Sequence, residues 1–348
     1  MKTLKELYEE ILKNQDLNYY HICEWSNQLS SILTDIDAKN FIHSIINKGK
    51  KESTEINKMI ETIDSQRCLH IVSTYLLGIS FYSNPYIKLC VDVELQNLPT
   101  SDTKMIDRFL YVWFLICFFH DLGYAYEEEK LLYTLPYKKQ LIYKSCNQYV
   151  PDIFDSTLIR NYKRYRSQCM CTKDHGIYGA NAVYKELIGH LAENHRNKGT
   201  NKKSDIGVIF NWNPNLIRVL RCISNIIAIH NIFFISTRDH AVKCYRHHEL
   251  DKLIYSGEVL NPRVITLKKH PLLFLFDLVD SIEPLKSLNN IEQLKEIQIE
   301  FLDNESTIYI HCPGNADYEK FRERIVGIKS WLTDVEGEKE DTLFKIFL

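Results

Sequence analysis

Apolar residues recur at helical spacing along most of the chain, as far as about Lys286. The spacing predicts helices over Leu4 to Lys13, Ala38 to Ile46, Cys68 to Phe81, Asp107 to Phe119, Gly176 to Glu193, Leu216 to His230 and Pro271 to Ile282. Two runs, IVSTYLLGISFY (Ile71 to Tyr82) and FLYVWFLICFF (Phe109 to Phe119), are apolar almost all round. Both fall short of the roughly 20 residues of a membrane span, so they are expected as buried core helices. Two polar stretches interrupt the pattern: Thr134 to Thr172, rich in Tyr, Lys and Arg, and Asn194 to Asp205, expected as a surface loop. After about Glu296 the period shortens to two. EIQIEFL and STIYIHC then read as a β-hairpin around the turn-forming Asp303-Asn304, followed by an amphipathic helix from Tyr318 to Trp331 and the apolar tail FKIFL. The expected architecture is mainly α: a helical bundle over residues 1–290 and a small α+β module, hairpin plus helix, over residues 291–348.

Composition narrows the class only slightly. With 45% hydrophobic and 25% charged residues, the chain reads as a soluble globular protein. Its 43 basic and 45 acidic side chains nearly balance, which argues against general nucleic-acid binding. The 10 cysteines show no framework spacing, and the chain opens on a charged amphipathic segment rather than an apolar leader. A cytoplasmic protein with reduced thiols, without membrane association, is therefore expected. Homo-oligomerisation is compatible with this reading.

The chemistry is carried by ionisable residues embedded in apolar helices. His70 lies in RCLHIVSTYLLGI, and His120 and Asp121 end the run WFLICFFHDLGYAYE. His175 opens KDHGIYGANAV, His230 closes ISNIIAIHN, and Asp280 sits in PLLFLFDLVDSIEP. Burying an aspartate beside a histidine is costly unless something compensates the charge. A divalent cation does so, because imidazole nitrogen and carboxylate oxygen together suit Zn, Mn or Fe.

The ordered series (a His, then His-Asp, then further His, then a late Asp) resembles the HD-domain superfamily of metal-dependent phosphohydrolases over about residues 65–285. The HDLG, DHGIYGA and PLLFLFDLVD stretches carry the likeness. It implies an HD-type helical bundle in which His70, His120, Asp121 and Asp280 hold one metal, while His175 and His230 help hold a second with Asp121 as bridge. It also implies that a metal-bound hydroxide attacks phosphorus, with Asp121 and His175 in the catalytic machinery. Arg67, one turn before His70, is a further catalytic candidate that could face the phosphate or pair with a carboxylate. The metals compatible with these ligands are Mn, Fe, Zn, Co, Ni and Mg. Asp280 is preferred to Asp277 as the late ligand; Asp277, one turn earlier, is expected to orient a ligand from behind. The chain departs from the family in having Tyr124 where Lys or His often follows HDxG, and in lacking the His-rich continuation of deoxynucleotide triphosphohydrolases.

The expected substrate is nucleotide-like. Cyclic nucleotide or cyclic dinucleotide phosphodiester cleavage comes first and nucleoside triphosphate hydrolysis next. The same ligand set is similar to that of diiron oxygenases on this scaffold, and a non-catalytic nucleotide sensor is the other alternative. Tyr124, Arg166 and Lys173 are candidate substrate-binding residues, the last two from the basic stretch Arg160 to Lys173 that could cradle phosphates. Tyr126 is placed near substrate with Tyr124. Cys169 and Cys171 lack the paired spacing of a zinc site, and His240, His247 and His248 are expected on a polar helical face.

Overall fold

The computed structural model describes residues 1–14, 65–98, 105–126, 157–166, 175–180, 184, 216–233, 239–253, 263–288, 290–302 and 306–348. The described part is mostly helical with one small antiparallel sheet. Its elements run β1 (Lys2–Thr3), α1 (Leu4–Lys13), α2 (Ser65–Tyr82), α3 (Pro85–Gln96), α4 (Met105–His120), α5 (Thr157–Tyr165), α6 (Leu216–Ile229), α7 (Asp239–His247) and α8 (Pro271–Ile282). Then follow β2 (Gln298–Phe301), β3 (Thr307–His311), α9 (Glu319–Gly327), β4 (Val335–Glu336) and β5 (Leu343–Phe347). Residues 175–180 are also helical. The helix expected over Ala38 to Ile46, most of the one over Gly176 to Glu193, the Asp303-Asn304 turn and the Asn194 to Asp205 loop lie outside the described residues.

Local chemistry sets the ends of several helices. At α1, the Thr3 hydroxyl accepts from the Glu6 N–H while the Glu6 carboxylate accepts from the Thr3 N–H, a reciprocal capping box. At α3, the Asn84 side chain accepts from the Tyr86 and Ile87 amides, and Pro85 occupies the first turn, where no N–H is missed. At α8, the N-cap His270 makes no side-chain cap bond. Glu94 of α3 supplies it across the helix interface, accepting from the Leu272 amide at 2.7 Å.

Burial pushes the Glu94 carboxyl up to about 7 from its ordinary 4.5. A carboxyl raised on folding contributes most below its unfolded pKa, and that contribution is lost as pH rises from 4.5 through 7. The loss amounts to about 3 kcal/mol by alkaline pH. Glu94→Gln keeps an acceptor for Leu272 and removes the ionisation. Its thermal stability is expected to exceed that of the wild type at pH 8 and to converge with it near pH 5, measured by melting at both values.

The apolar runs do become core. Trp113 of α4 is fully buried, donates Nε1–H to the Tyr75 carbonyl at 3.0 Å and lies flush against Gly78 of α2, where a Cβ would fall 1.9 Å from its ring. One continuous apolar core runs from Leu4 to Ile346. No helix among the described residues is long and apolar enough to cross a membrane.

The sheet has the order β1-β2-β3-β5-β4, antiparallel throughout. The expected hairpin is β2–β3, with Ile299 opposite Ile310, and the apolar tail is β5. The edge strand β1 comes from the other end of the chain, and the Leu4 amide donates to the Ile297 carbonyl at 2.9 Å. The C-terminal sheet thus carries a strand from the segment that also starts the bundle. Helix α9 packs on α8, and Arg324 donates Nε–H and Nη2–H to the Ser281 and Asp280 carbonyls at 2.6 and 2.9 Å. These are C-terminal carbonyls of α8 that have no partner within their own helix.

Candidate metal centre

Four elements converge on one cleft. Helix α2 carries His70, the end of α4 carries His120 with Asp121 just beyond it, the end of α6 leads into His230, and the last turn of α8 carries Asp280. His175 opens the helical residues 175–180. His70, His120, Asp121 and His230 are buried, with Asp280 and His175 only slightly more open.

The donor atoms fall into two groups. His70 Nε2 lies 3.2 Å from His120 Nε2 and 2.9 Å from Asp280 Oδ1, while His120 Nε2 lies 3.2 Å from Asp121 Oδ1. On the other side, His175 Nε2 lies 3.1 Å from His230 Nε2 and 3.7 Å from Asp121 Oδ1. His70, His120 and Asp121 therefore form one set of converging donors that could hold a metal ion, and Asp121, His175 and His230 form another. Asp121 belongs to both.

Which imidazole nitrogen points inward is set by what the other one does. His120 Nδ1 is 2.6 Å from the Cys117 carbonyl and His230 Nδ1 is 2.7 Å from the Ile227 carbonyl. A carbonyl only accepts, so each Nδ1 carries the proton and each Nε2 presents its lone pair to the cluster. Burial presses His120 down to about 3 and His230 to about 4, so both rings are neutral near pH 7, the form that ligates a metal. At His70, burial and Lys286 act against the charge, but bonds to Asp280 and Glu283 outweigh them and hold its pKa above the ordinary value. Burial would raise Asp121, yet the facing imidazoles of His120, His70 and His175 hold it well below the usual carboxylate range. Asp280 is likewise held well below, against its burial, by Lys286 and His70.

The ring of His70 is held from behind by a residue that the sequence pattern does not single out. Glu283, fully buried, takes the His70 Nδ1–H at 2.9 Å and also accepts from the Leu285 and Lys286 amides at 2.8 and 3.0 Å. A carboxylate behind a ligating histidine fixes its tautomer and raises its basicity. Asp277, expected in that role, makes no hydrogen bond among the described residues; its carboxyl is buried and pushed well above the ordinary range by burial and by Asp280. Glu283→Gln is expected to weaken divalent-metal binding by about 10- to 100-fold. Calorimetric titration of metal-free protein with Mn2+ measures this directly. Asn231 also escapes the sequence reading: its Nδ2 lies 3.0 Å from Nε2 of both His175 and His230. Its only local signal is its position directly after His230 at the end of a buried helix.

The cleft has a volume of about 410 Å³ and is lined by Gln66, Arg67, His70, Asp121, Tyr124, His175, His230, Asn231, Asp280, Leu285, Lys286 and Arg324. Tyr124 stacks on His175 with ring centroids 3.8 Å apart, and the Arg67 guanidinium sits 3.2 Å from the centre of the Tyr124 ring. Arg67 and Tyr124 are thus wall residues of the cleft. Arg166 is elsewhere: it is buried, donates to the Tyr162 hydroxyl at 2.8 Å and packs over the rings of Tyr162 and Tyr165. The reason is amphipathic: α5 turns a face of tyrosines inward, and the guanidinium stacks on them instead of reaching the cleft. Lys173, Cys169 and Cys171, like the side chain of Tyr126, lie outside the described residues. His240 and His247 are exposed on α7 and His248 follows it, consistent with a polar helical face.

Comparison with known protein families, with characterised proteins and with solved structures returned no match.

Proposed function

We propose that the chain is a metal-dependent phosphohydrolase with an HD-type helical bundle, cleaving a phosphoester or phosphoanhydride bond of a nucleotide. The observation that carries this reading is the sharing of Asp121 between two sets of histidine donors whose Nε2 atoms all converge on one cleft. His70, His120, Asp121 and Asp280 would hold one divalent ion, and Asp121, His175 and His230 a second. When bound there, such ions activate a water near neutral pH and offset charge on phosphoryl oxygens.

The chain's own groups do the positioning. The Cys117 and Ile227 carbonyls and the Glu283 carboxylate fix three imidazoles in the ligating tautomer. Tyr124 braces the His175 ring and holds Arg67 at the cleft wall, where a guanidinium suits a phosphoryl group in two-pronged fashion. Burial of the donors keeps bulk water from competing with a substrate at the cleft floor. Cyclic nucleotide or cyclic dinucleotide phosphodiesters are the first substrate class to test and nucleoside triphosphates the second.

The test is a hydrolysis screen with Mn, Fe, Co, Ni, Mg or Zn against cyclic mononucleotides, cyclic dinucleotides and nucleoside triphosphates. Turnover of one class, absent in Asp121→Ala, is the expected result. No turnover with any metal, together with tightly bound iron and O2 consumption, would replace the hydrolase by an oxygenase. Nucleotide binding without turnover would leave a sensor.

A further inference from the structure

We infer that Lys286 and Arg324 form an anion subsite at the Asp280 end of the cleft, which takes a second phosphoryl group of the substrate. The inference rests on the phosphohydrolase reading for the position of the first phosphoryl group, over the His and Asp donors. It narrows the substrate to nucleotides with two or more phosphoryl groups, and sets cyclic mononucleotides aside.

Both cations line the cleft, and both are tied to the end of α8. Lys286 Nζ lies 2.5 Å from Asp280 Oδ1 and 3.2 Å from the Asp280 carbonyl, which uses two of the three donors of an ammonium. Arg324 spends Nε and Nη2 on the Ser281 and Asp280 carbonyls, so its guanidinium is fixed before any ligand arrives. No hydrogen bond of its Nη1 is found among the described residues. A guanidinium held by two of its nitrogens gives up little conformational freedom when the third edge meets an anion. Arg67 also lines the cleft, standing over Tyr124, which stacks on His175. The cleft lining therefore joins three cations, Arg67, Lys286 and Arg324, to the carboxylates and imidazoles, and at about 410 Å³ it has the size of a small-molecule site rather than a single-phosphate site. Arg324 belongs to the C-terminal module, so the small sheet and α9 would complete the substrate site rather than merely append to it.

The experiment is calorimetric titration of the full chain with methylenediphosphonate and with orthophosphate, once in EDTA and once with Mn2+. The wild type is expected to bind the diphosphonate more tightly than orthophosphate. Arg324→Gln and Lys286→Gln are each expected to weaken the diphosphonate by about 10-fold or more while changing orthophosphate by less than about 3-fold. Melting curves of both variants show whether either has merely loosened α8; Arg324→Lys, which keeps the charge, is expected to recover part of the binding. Equal affinities in wild type and both variants, or equal losses for the two probes, would overturn the subsite. Selective loss of diphosphonate binding in a protein that hydrolyses nothing would keep the subsite and discard the hydrolase.

Discussion

Replacing Gly123 with alanine is expected to unfold or severely loosen the metal centre, although the change adds one methyl group. A Cβ at Gly123 would sit 1.8 Å from the His175 carbonyl oxygen, 2.5 Å from its carbon and 2.7 Å from the Gly179 nitrogen. All three are backbone atoms, so no side chain can swing aside. Gly179 faces back in the same way, its own Cβ position 2.9 Å from the Phe119 carbonyl oxygen. The turn after His120-Asp121 and the helix opened by His175 therefore touch backbone to backbone, and this contact sets the spacing between the two donor sets. Forcing them apart should cost about 3 kcal/mol or more. The melting temperature should fall by about 4 °C or more. His175 would leave Asp121, and binding of the second metal would fail. Gly327→Ala is the control: nothing lies within 4 Å of a Cβ there, so no steric loss is expected. Equal melting temperatures for Gly123→Ala and wild type would show that the close approach is not needed.

The largest effect on activity is expected from Asp121→Ala. This carboxylate lies 3.2 Å from His120 Nε2 and 3.7 Å from His175 Nε2, so its loss removes a donor from both sets at once. The neutral imidazoles facing it would lose the one anionic donor that both sets share. Turnover should drop about a thousandfold or more, equivalent to roughly 4 kcal/mol of transition-state stabilisation. Metal content should fall with it. Asp121→Asn, which keeps the shape and the hydrogen-bonding capacity but not the charge, should follow Asp121→Ala in metal content and stay nearer the wild type in melting temperature. An Asp121→Asn protein with full metal content would mean that the carboxylate is not a shared ligand.

Where structure followed from local signals, it was legible in the sequence. Helices α1 and α8 have the predicted bounds because Thr3 with Glu6, and Pro271, mark their starts chemically. Helix α3 escaped the pattern. Its buried stripe is only Ile87, Val91 and Leu95, and the exposed Leu89 and Val93 blur the contrast between faces. Helix α5 lies inside a stretch that reads as a polar interruption, because its buried face is built from Tyr162 and Tyr165, whose hydroxyls disguise their apolar area. Strand β1 is two residues long, too short for any periodicity to show.

The site divides along the same line. Six ionisable groups in apolar surroundings could be picked out one by one, and His70, His120, Asp121, His175, His230 and Asp280 do meet in one cleft. Glu283 could not be, because it follows α8 at a Glu-Pro step that reads as a turn, and its partner His70 lies 213 positions away in the chain. Arg324 could not be picked out either, because only the packing of α9 on α8 brings it to the cleft, whereas Lys286 reaches Asp280 from the turn that directly follows α8.

The most direct test of the central claim is a titration of metal-free protein with Co2+, following its visible absorption together with calorimetric stoichiometry. Two ions per chain are expected, with spectra of nitrogen and oxygen coordination, and with both sites weakened in Asp121→Ala. Absence of Co2+ binding, or binding that Asp121→Ala leaves unchanged, would contradict a shared two-metal centre.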